Sequence, residues 1–343
     1  MFEVIAAVCA LEGGACRDML LPGHEAATRA ACEDGLAGLA APALPGLAAA
    51  GAPRCREAGP GLVMEEVAPG IFVHAGAVAE PGPGNGGDAS NLGFVIGQDS
   101  VAVIDSGSSR AIGEDLWRAI RARSPLPVRY AILTHMHPDH VFGASVLAEA
   151  GAEVIGRDGL GRALADRAES YLARFGEEIG PGFLGTQIPV VAREIAGPEE
   201  IDLGGRRLRL VPWPEAHSPT DLTVAEDGAG LLFAGDLVFD RHAPALDGSL
   251  RGWQTALRAL AAEPFSGVVP GHGAARLPWP EGAAPVQRYL ARLAEDTRAA
   301  LDAGMRMGDA IETVAASEAG NWQLFGLFNP RNATVAYAEL EWE

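Results

Sequence analysis

The sequence contains no lysine: its 26 basic residues are all arginine, set against 45 aspartates and glutamates, for a formal charge of −19. A surface this acidic repels nucleic acid and anionic lipid, so neither is expected as a partner. A small anionic substrate stays admissible, because a bound cation would supply local positive charge. Without lysine, the glycine-rich stretch Glu80–Ser90 is not a phosphate-cradling loop. No apolar run approaches the roughly 20 residues of a membrane-spanning helix, so membrane insertion is not expected. No internal repeat is visible.

Cysteine is absent after Cys55. The four present, Cys9, Cys16, Cys32 and Cys55, lie in an Ala- and Gly-rich segment with few bulky side chains. That confinement points to two disulfides stapling a module, residues 1–60, too small to hold itself together otherwise. Three pairings are open. The ordinary alternative is four reduced thiols buried as small hydrophobes; a cysteine-only zinc site is disfavoured because no Cys-x-x-Cys knuckle occurs. Ala41–Pro53 reads as a linker or long loop. Disulfides imply an oxidising compartment, yet Ile5–Leu11 lacks the preceding basic residue of a signal peptide. The expectation is a mature chain that has shed its leader.

Hydrophobic residues make up 48% of the 343, enough for a well-buried core in a main domain over residues 61–343. Leu62–Val67 and Ile71–His74 read as a hairpin turned by Pro69-Gly70. Glu80–Ser90 reads as a loop, and Asn91–Ile96 and Ser100–Ile104 as a strand pair ending at Asp105-Ser106-Gly107. Ile112, Leu116, Ala119 and Ile120 share one face of a helix over Ser109–Ala122. Further helices are expected over Gly143–Ala150, Leu160–Phe175, Pro285–Met305 (the last long one) and Met307–Ala315. The tail from Asn321, with Trp322, Phe325, Phe328 and Trp342, is too aromatic for disorder and is expected to dock on the body or a partner.

The stretch with the densest chemistry is residues 130–143, Tyr-Ala-Ile-Leu-Thr-His-Met-His-Pro-Asp-His-Val-Phe-Gly. Its first half reads as a buried strand and Pro138 as a turn. His135 and His137, two apart in extended chain, face one point, whereas Asp139 and His140 enter from a different angle beyond the turn. Three imidazoles and a carboxylate within six residues form a zinc-type ligand set. The bland reading, a polar loop whose histidines only cap, suits a solitary histidine better than this cluster. Three later strand ends each offer another donor: His217 in Glu-Ala-His-Ser-Pro-Thr-Asp-Leu, Asp236 in Leu-Leu-Phe-Ala-Gly-Asp, and His272 in Val-Val-Pro-Gly-His-Gly.

These four motifs together resemble the metallo-β-lactamase superfamily over roughly residues 60–300. The resemblance implies an α/β chain folded as a four-layer αββα sandwich, two mixed sheets with helices outside. It implies that His135, His137 and His217 hold one zinc ion, Asp139, His140 and His272 a second, and that Asp236 bridges both, with iron or manganese as substitutes. A hydroxide between the ions would attack an ester, thioester, lactone or amide carbonyl without a covalent intermediate, Asp139 steering it or passing its proton to the leaving group. The Glu80–Ser90 loop would lie at the site mouth, the ordinary alternative being a solvated turn; an insertion around 158–185 would wall the pocket, with Tyr171 and Phe175 as candidates, the ordinary alternative being that they only pack their helix down. Asp105 would orient a ligand imidazole. Asp221 near His217 is either a similar support or a turn cap, and His242 is a candidate substrate contact. His24 and His74 read as structural or exposed.

Asp236 narrows the resemblance, because β-lactamases of the superfamily carry Cys or Ser there whereas glyoxalase II and lactonases carry Asp; β-lactam turnover is therefore an alternative. A second alternative is a mononuclear iron persulfide dioxygenase using two His and the Asp, and a non-enzymatic binding protein is a third reading. Phe-Glu-Val-Ile at the start, together with Ala-His-Ser-Pro-Thr-Asp-Leu and Asp-Gly-Ser-Leu-Arg-Gly-Trp, resembles the zinc metallohydrolases associated with quinoproteins. That implies a periplasmic setting and an association with a quinoprotein dehydrogenase system, and leaves the small-molecule substrate unnamed.

Overall fold

Two mixed sheets pack face to face, and alternation of side chains along their strands explains why. The computed structural model describes residues 1–12 and 14–342. Residues 2–57 form a separate antiparallel sheet of β1 (Phe2–Ala10), β2 (Cys16–Ala26), β3 (Leu47–Ala49) and β4 (Arg54–Glu57), with helix α1 (Arg29–Asp34) beside it. Seven strands follow: β5 (Glu65–Ala68), β6 (Ile71–His74), β7 (Leu92–Ile96), β8 (Val101–Ile104), β9 (Val128–Ile132), β10 (Glu153–Arg157) and β11 (Arg193–Ile195), in spatial order β11-β10-β9-β8-β7-β6-β5. The third sheet runs in sequence order through β12 (Glu199–Asp202), β13 (Arg207–Pro212), β14 (Leu222–Glu226), β15 (Leu231–Phe239), β16 (Gly267–His272) and β17 (Leu277–Pro278). Both larger sheets mix parallel and antiparallel pairs, β8-β9-β10-β11 and β15-β16 being parallel.

Inward residues of the two large sheets meet in one core: Val73, Val95, Ile104, Ile132 and Ile155 on one side, Leu208, Leu210, Val224 and Phe233 on the other. The opposite faces are covered by helices. Phe94, Val103, Ala131 and Val154 pack under α2 (Arg110–Arg121), α3 (Pro138–Val141), α4 (Ala144–Glu149) and α5 (Leu160–Ile179). Leu232, Ala234 and Val268 pack under α6 (Leu250–Ala261), α7 (Ala284–Asp302), α8 (Met307–Ile311) and α9 (Phe325–Leu340). Strand β8, Val-Ala-Val-Ile, is buried on both faces, which is why it is a continuous apolar run. The result is the expected αββα sandwich. Each fully buried Leu, Ile or Val contributes roughly 1.5–3 kcal/mol, so these three cores account for the fold's main driving force.

Three expectations need correction. The 41–53 run is not merely a linker, because β3 lies within it and pairs with β1 at Cys9 and its neighbours. Its alanines carry no alternating pattern to reveal a strand. Helix α8 stops at Ile311, and the last long helix is α9, hidden in the sequence by Pro330 in its interior and by its weak amphipathicity. In the tail, Trp322, Phe325 and Phe328 do dock on the body, but Trp342 projects into solvent at 86% exposure.

Both disulfides form, Cys9–Cys16 across the first hairpin and Cys32–Cys55 from α1 to β4. Among the described residues no helix is long and apolar enough to cross a membrane. The small sheet is pinned to α2 by charge. Arg110, fully buried, bonds Glu114 and Glu149 and donates to the Leu20 carbonyl at 3.1 Å, while Arg17 also pairs with Glu114. Arg118 reaches Glu3 at 2.8 Å. A buried ion pair is strongly destabilised when one partner is removed, because the other charge is left unsatisfied. Arg110→Ala is therefore expected to lower stability by about 3 kcal/mol in denaturant unfolding; a change under about 1 kcal/mol would mean that the network holds nothing in place.

Candidate metal centre

Every donor sits at the same end of the two sheets. His135 and His137 follow β9, and Asp139 and His140 lie in α3, whose Pro138 occupies the first turn where its missing N–H costs least. His217 lies in the turn between β13 and β14, Asp236 within β15, and His272 ends β16. The register of β15 against β16 shifts on either side of Gly235, a local irregularity that re-aims Asp236 into the site. Gly271 makes room for it: a Cβ there would stand 1.9 Å from Asp236 Oδ1.

These residues converge as two groups, His135, His137, His217 and Asp236, and Asp139, His140 and His272, with the ligand atoms of each group within 4.8 Å of one another. His137 Nδ1 lies 3.1 Å from His135 Nε2 and 3.0 Å from His217 Nε2. Asp236 stands between the groups, with Oδ1 3.2 Å from His140 Nε2 and Oδ2 3.4 Å from both His217 and His272. Asp139 Oδ2 is 3.4 Å from His272 Nε2.

The outer nitrogen of each imidazole is already committed. His217 Nδ1 and His272 Nδ1 donate to the carbonyls of Ala245 (2.6 Å) and Ala89 (2.8 Å). His140 Nδ1 donates to Asp105 Oδ2 at 2.8 Å, and His137 Nε2 to Asp247 Oδ2 at 3.1 Å. His135 Nδ1 donates to the Thr134 hydroxyl, which in turn donates to Asp105. Carbonyls and carboxylates only accept, so in a neutral ring the proton lies on the outside and the lone pair faces in. With all three rings neutral, three such lone pairs meet around His137 Nδ1, an arrangement that repels unless a proton or a metal cation takes them. His140 Nε2 and Asp236 Oδ1 are buried without a hydrogen-bond partner, being close but not aligned with one another. The donor set fits divalent zinc in kind, nitrogen and carboxylate oxygen at high density.

The electrostatics agree. Burial holds His135 well below the usual imidazole range and lowers His217 to about 3, keeping both neutral as ligands must be. Burial also disfavours charge on His140 and His272, but Asp236 and Asp139 outweigh it and raise both. Burial alone would raise Asp236; the surrounding imidazoles, His272 first, hold it well below the carboxylate range instead.

Asp105 thus supports the site through both Thr134 and His140, and does so from the left-handed region (φ 59°), where Asp is better tolerated than most residues. Asp221 does not reach a ligand histidine. Its carboxylate caps the Ser218 amide and hydroxyl, and burial raises it to about 7. His242 packs at a tilt against His272 with ring centroids 4.7 Å apart and against Phe328 at the same separation, and burial lowers it to about 4. Phe175 packs down on Phe142 rather than lining a pocket, whereas the Tyr171 hydroxyl, held by Arg167, stays at the mouth. Sequence reasoning missed Thr134, Arg167 and Asp247. Asp247 lies in the Asp-Gly-Ser-Leu-Arg-Gly-Trp motif, the one signal that pointed to it.

The glycine-rich loop returns to the centre, where Ser90 Oγ donates to the Asp139 carbonyl, and His74 anchors it by contacting both Asp88 oxygens at 2.9 Å. Burial opposes charge on His74, but Asp88 and the Val63 carbonyl outweigh it and raise its pKa above 6.5. That stabilisation is complete below pH 6.5 and lost as pH rises through the folded value. Loop amides are therefore expected to exchange faster, relative to the body, as pH climbs through that range, and His74→Gln should flatten the dependence; an unchanged profile in His74→Gln would rule the anchor out.

A profile of the Metallo-beta-lactamase superfamily matches residues 85–272. Among solved structures the chain is similar to a beta-lactamase domain protein from Burkholderia ambifaria, 20% identical, covering 81% of this chain and 88% of that one at a TM-score of 0.62. It is similar to the stereoselective inverting sec-alkylsulfatase Pisa1 from Pseudomonas sp., 14% identical, covering 81% of this chain and 50% of that one at a TM-score of 0.62. It is also similar to the metallo-beta-lactamase FIM-1 from Pseudomonas aeruginosa in a mono-zinc form, 17% identical, covering 67% and 95% at a TM-score of 0.52.

Proposed function

This chain belongs to the metallo-β-lactamase superfamily, and on that footing we propose that it is a dinuclear zinc hydrolase of an ester, thioester, lactone or amide. The observation that carries the reading is the set of three inward lone pairs around His137 Nδ1, with the Asp236 carboxylate between two donor groups. His135, His137 and His217 would hold one ion and Asp139, His140 and His272 the other, with Asp236 reaching both. When bound, zinc polarises a carbonyl and brings the pKa of a coordinated water to about 7. Asp139 would orient the attacking water and carry its proton to the leaving group, since its Oδ2 lies between the His140 and His272 rings, 3.6 and 3.4 Å from their Nε2 atoms. His242 and Phe328 would shield one side of the site from water.

The mononuclear iron reading uses two histidines and a carboxylate and leaves the remaining donors without a purpose. β-Lactam turnover is the weaker alternative, because the matched lactamases are too distant in sequence to carry more than the fold, which the sulfatase shares. The setting we propose is the periplasm, beside a quinoprotein dehydrogenase system. The two disulfides support the oxidising compartment, and the resemblance of Phe-Glu-Val-Ile, Ala-His-Ser-Pro-Thr-Asp-Leu and Asp-Gly-Ser-Leu-Arg-Gly-Trp supports the association; cell fractionation and co-purification test both.

Elemental analysis of the purified chain is expected to return two zinc ions. Chelation should abolish hydrolysis of a thioester and lactone panel, and zinc should restore it. Asp139→Asn is expected to lower kcat by roughly 10²–10⁴-fold. One iron per chain, or hydrolysis that survives chelation, would overturn the reading.

A further inference from the structure

The outer partners of the imidazoles are not alike. Those of His135, His140, His217 and His272 are a hydroxyl, a carboxylate and two carbonyls fixed within the fold, and Thr134, Asp105 and the ring nitrogens they serve are buried. The partner of His137 is Asp247, on the loop before α6, with its side chain 35% exposed. Asp247 is held in turn by α5. The Arg167 guanidinium grips it through both terminal nitrogens, Nη1 to Oδ2 and Nη2 to Oδ1 at 3.3 Å, while Nη1 also donates to the Tyr171 hydroxyl at 3.1 Å. The Asp247 amide donates to the His217 carbonyl at 2.9 Å, so this carboxylate is placed from a second ligand as well.

We infer that Asp247 and Arg167 are positioning residues for one metal site, acting as a relay from helix α5 through Asp247 to His137. The inference rests on the metal-centre reading above. Asp247 accepts the His137 Nε2 proton, which fixes the tautomer with the Nδ1 lone pair inward, and its negative charge raises the basicity of that nitrogen. Arg167 restricts Asp247 to the orientation that does this, since a planar guanidinium meets a carboxylate in one geometry. The relay touches His137 and, through the backbone, His217. It does not touch Asp139, His140 or His272. The two ions therefore depend on it unequally, and the site built from His135, His137 and His217 is the one whose hold is set from helix α5.

The test is zinc affinity, measured by titrating the metal-free full chain with zinc against a chromophoric chelator, with elemental analysis after dialysis. Wild type is expected to hold two ions. Asp247→Ala is expected to weaken one of them by roughly 10–100-fold and leave the other within about twofold, the range usual for such outer partners. Arg167→Gln should weaken the same ion by less, and Arg167→Lys should recover only part, because a lysine cannot fork. The unaffected ion reports that each variant is folded. Two ions bound at wild-type strength in both Asp247→Ala and Arg167→Gln would overturn the relay while leaving the metal-centre reading intact, as would an equal weakening of both ions. A wild-type chain that takes up no zinc would overturn the reading and the relay together.

Discussion

The Asp236 carboxylate is buried among imidazoles from three separate chain segments, and the end of the sandwich where it lies is arranged to tolerate it. A carboxylate removed from water is costly unless opposite charge or donors surround it. Here the imidazoles, His272 first and then His140, hold it well below the carboxylate range, and a divalent ion would supply the same positive charge. The local backbone serves the same end. The irregular pairing of β15 with β16 turns Asp236 inward, and the absent side chain at Gly271 leaves the space its oxygen fills.

The second constraint is that imidazoles must point correctly before any ion arrives. Their outer nitrogens are assigned to acceptors drawn from all parts of the chain, Ala89 before β7, Asp105 after β8, Ala245 and Asp247 before α6. This spread explains why the site needs both sheets. Each sheet alone would supply only part of the ligands and part of the acceptors, and the inner core of Ile104, Ile132, Val224 and Phe233 fixes the two halves relative to each other. Tight core packing thereby transmits the position of one half to the other.

The strands around the metal segment and most of the covering helices were legible in the sequence because short apolar runs and period-3.6 apolar patterns are local signals, as in β8 and α2. The clustering of His135 to His140 was legible for the same reason. Bringing His217, Asp236 and His272 to that cluster is a long-range fact, reached from the sequence through resemblance and not through spacing. What escaped was of two kinds. Helix α9 and strand β3 lack the patterns that betray elements, the first interrupted by Pro330 and the second made of small residues. Asp247 and Arg167 act through partners distant in the chain, and a hydrogen bond over 110 residues, like that of His137 to Asp247, leaves no mark on its neighbours; Thr134 serves its neighbour His135, but its own acceptor, Asp105, is 29 residues away.

The small disulfide-bearing sheet has a physical connection to this centre that its distance in sequence conceals. Its Arg17 and Glu3, and the Leu20 carbonyl, grip α2 through Glu114, Arg118 and Arg110. Helix α2 is capped by Ser109, immediately after the turn in which Asp105 is held with positive φ. That turn is laced to the metal segment: the Ser106 amide and hydroxyl both donate to the His140 carbonyl, and the Gly143 amide donates to Gly107. Gly143 approaches so closely that a Cβ would lie 2.0 Å from the Ser106 carbonyl oxygen. A helix displaced by loss of its ion-pair grip would pull on the same turn that aims Asp105 at His140. The buried charges at the α2 interface and the imidazole orientation at the centre are thus one mechanical chain, with the two disulfides keeping its far end rigid.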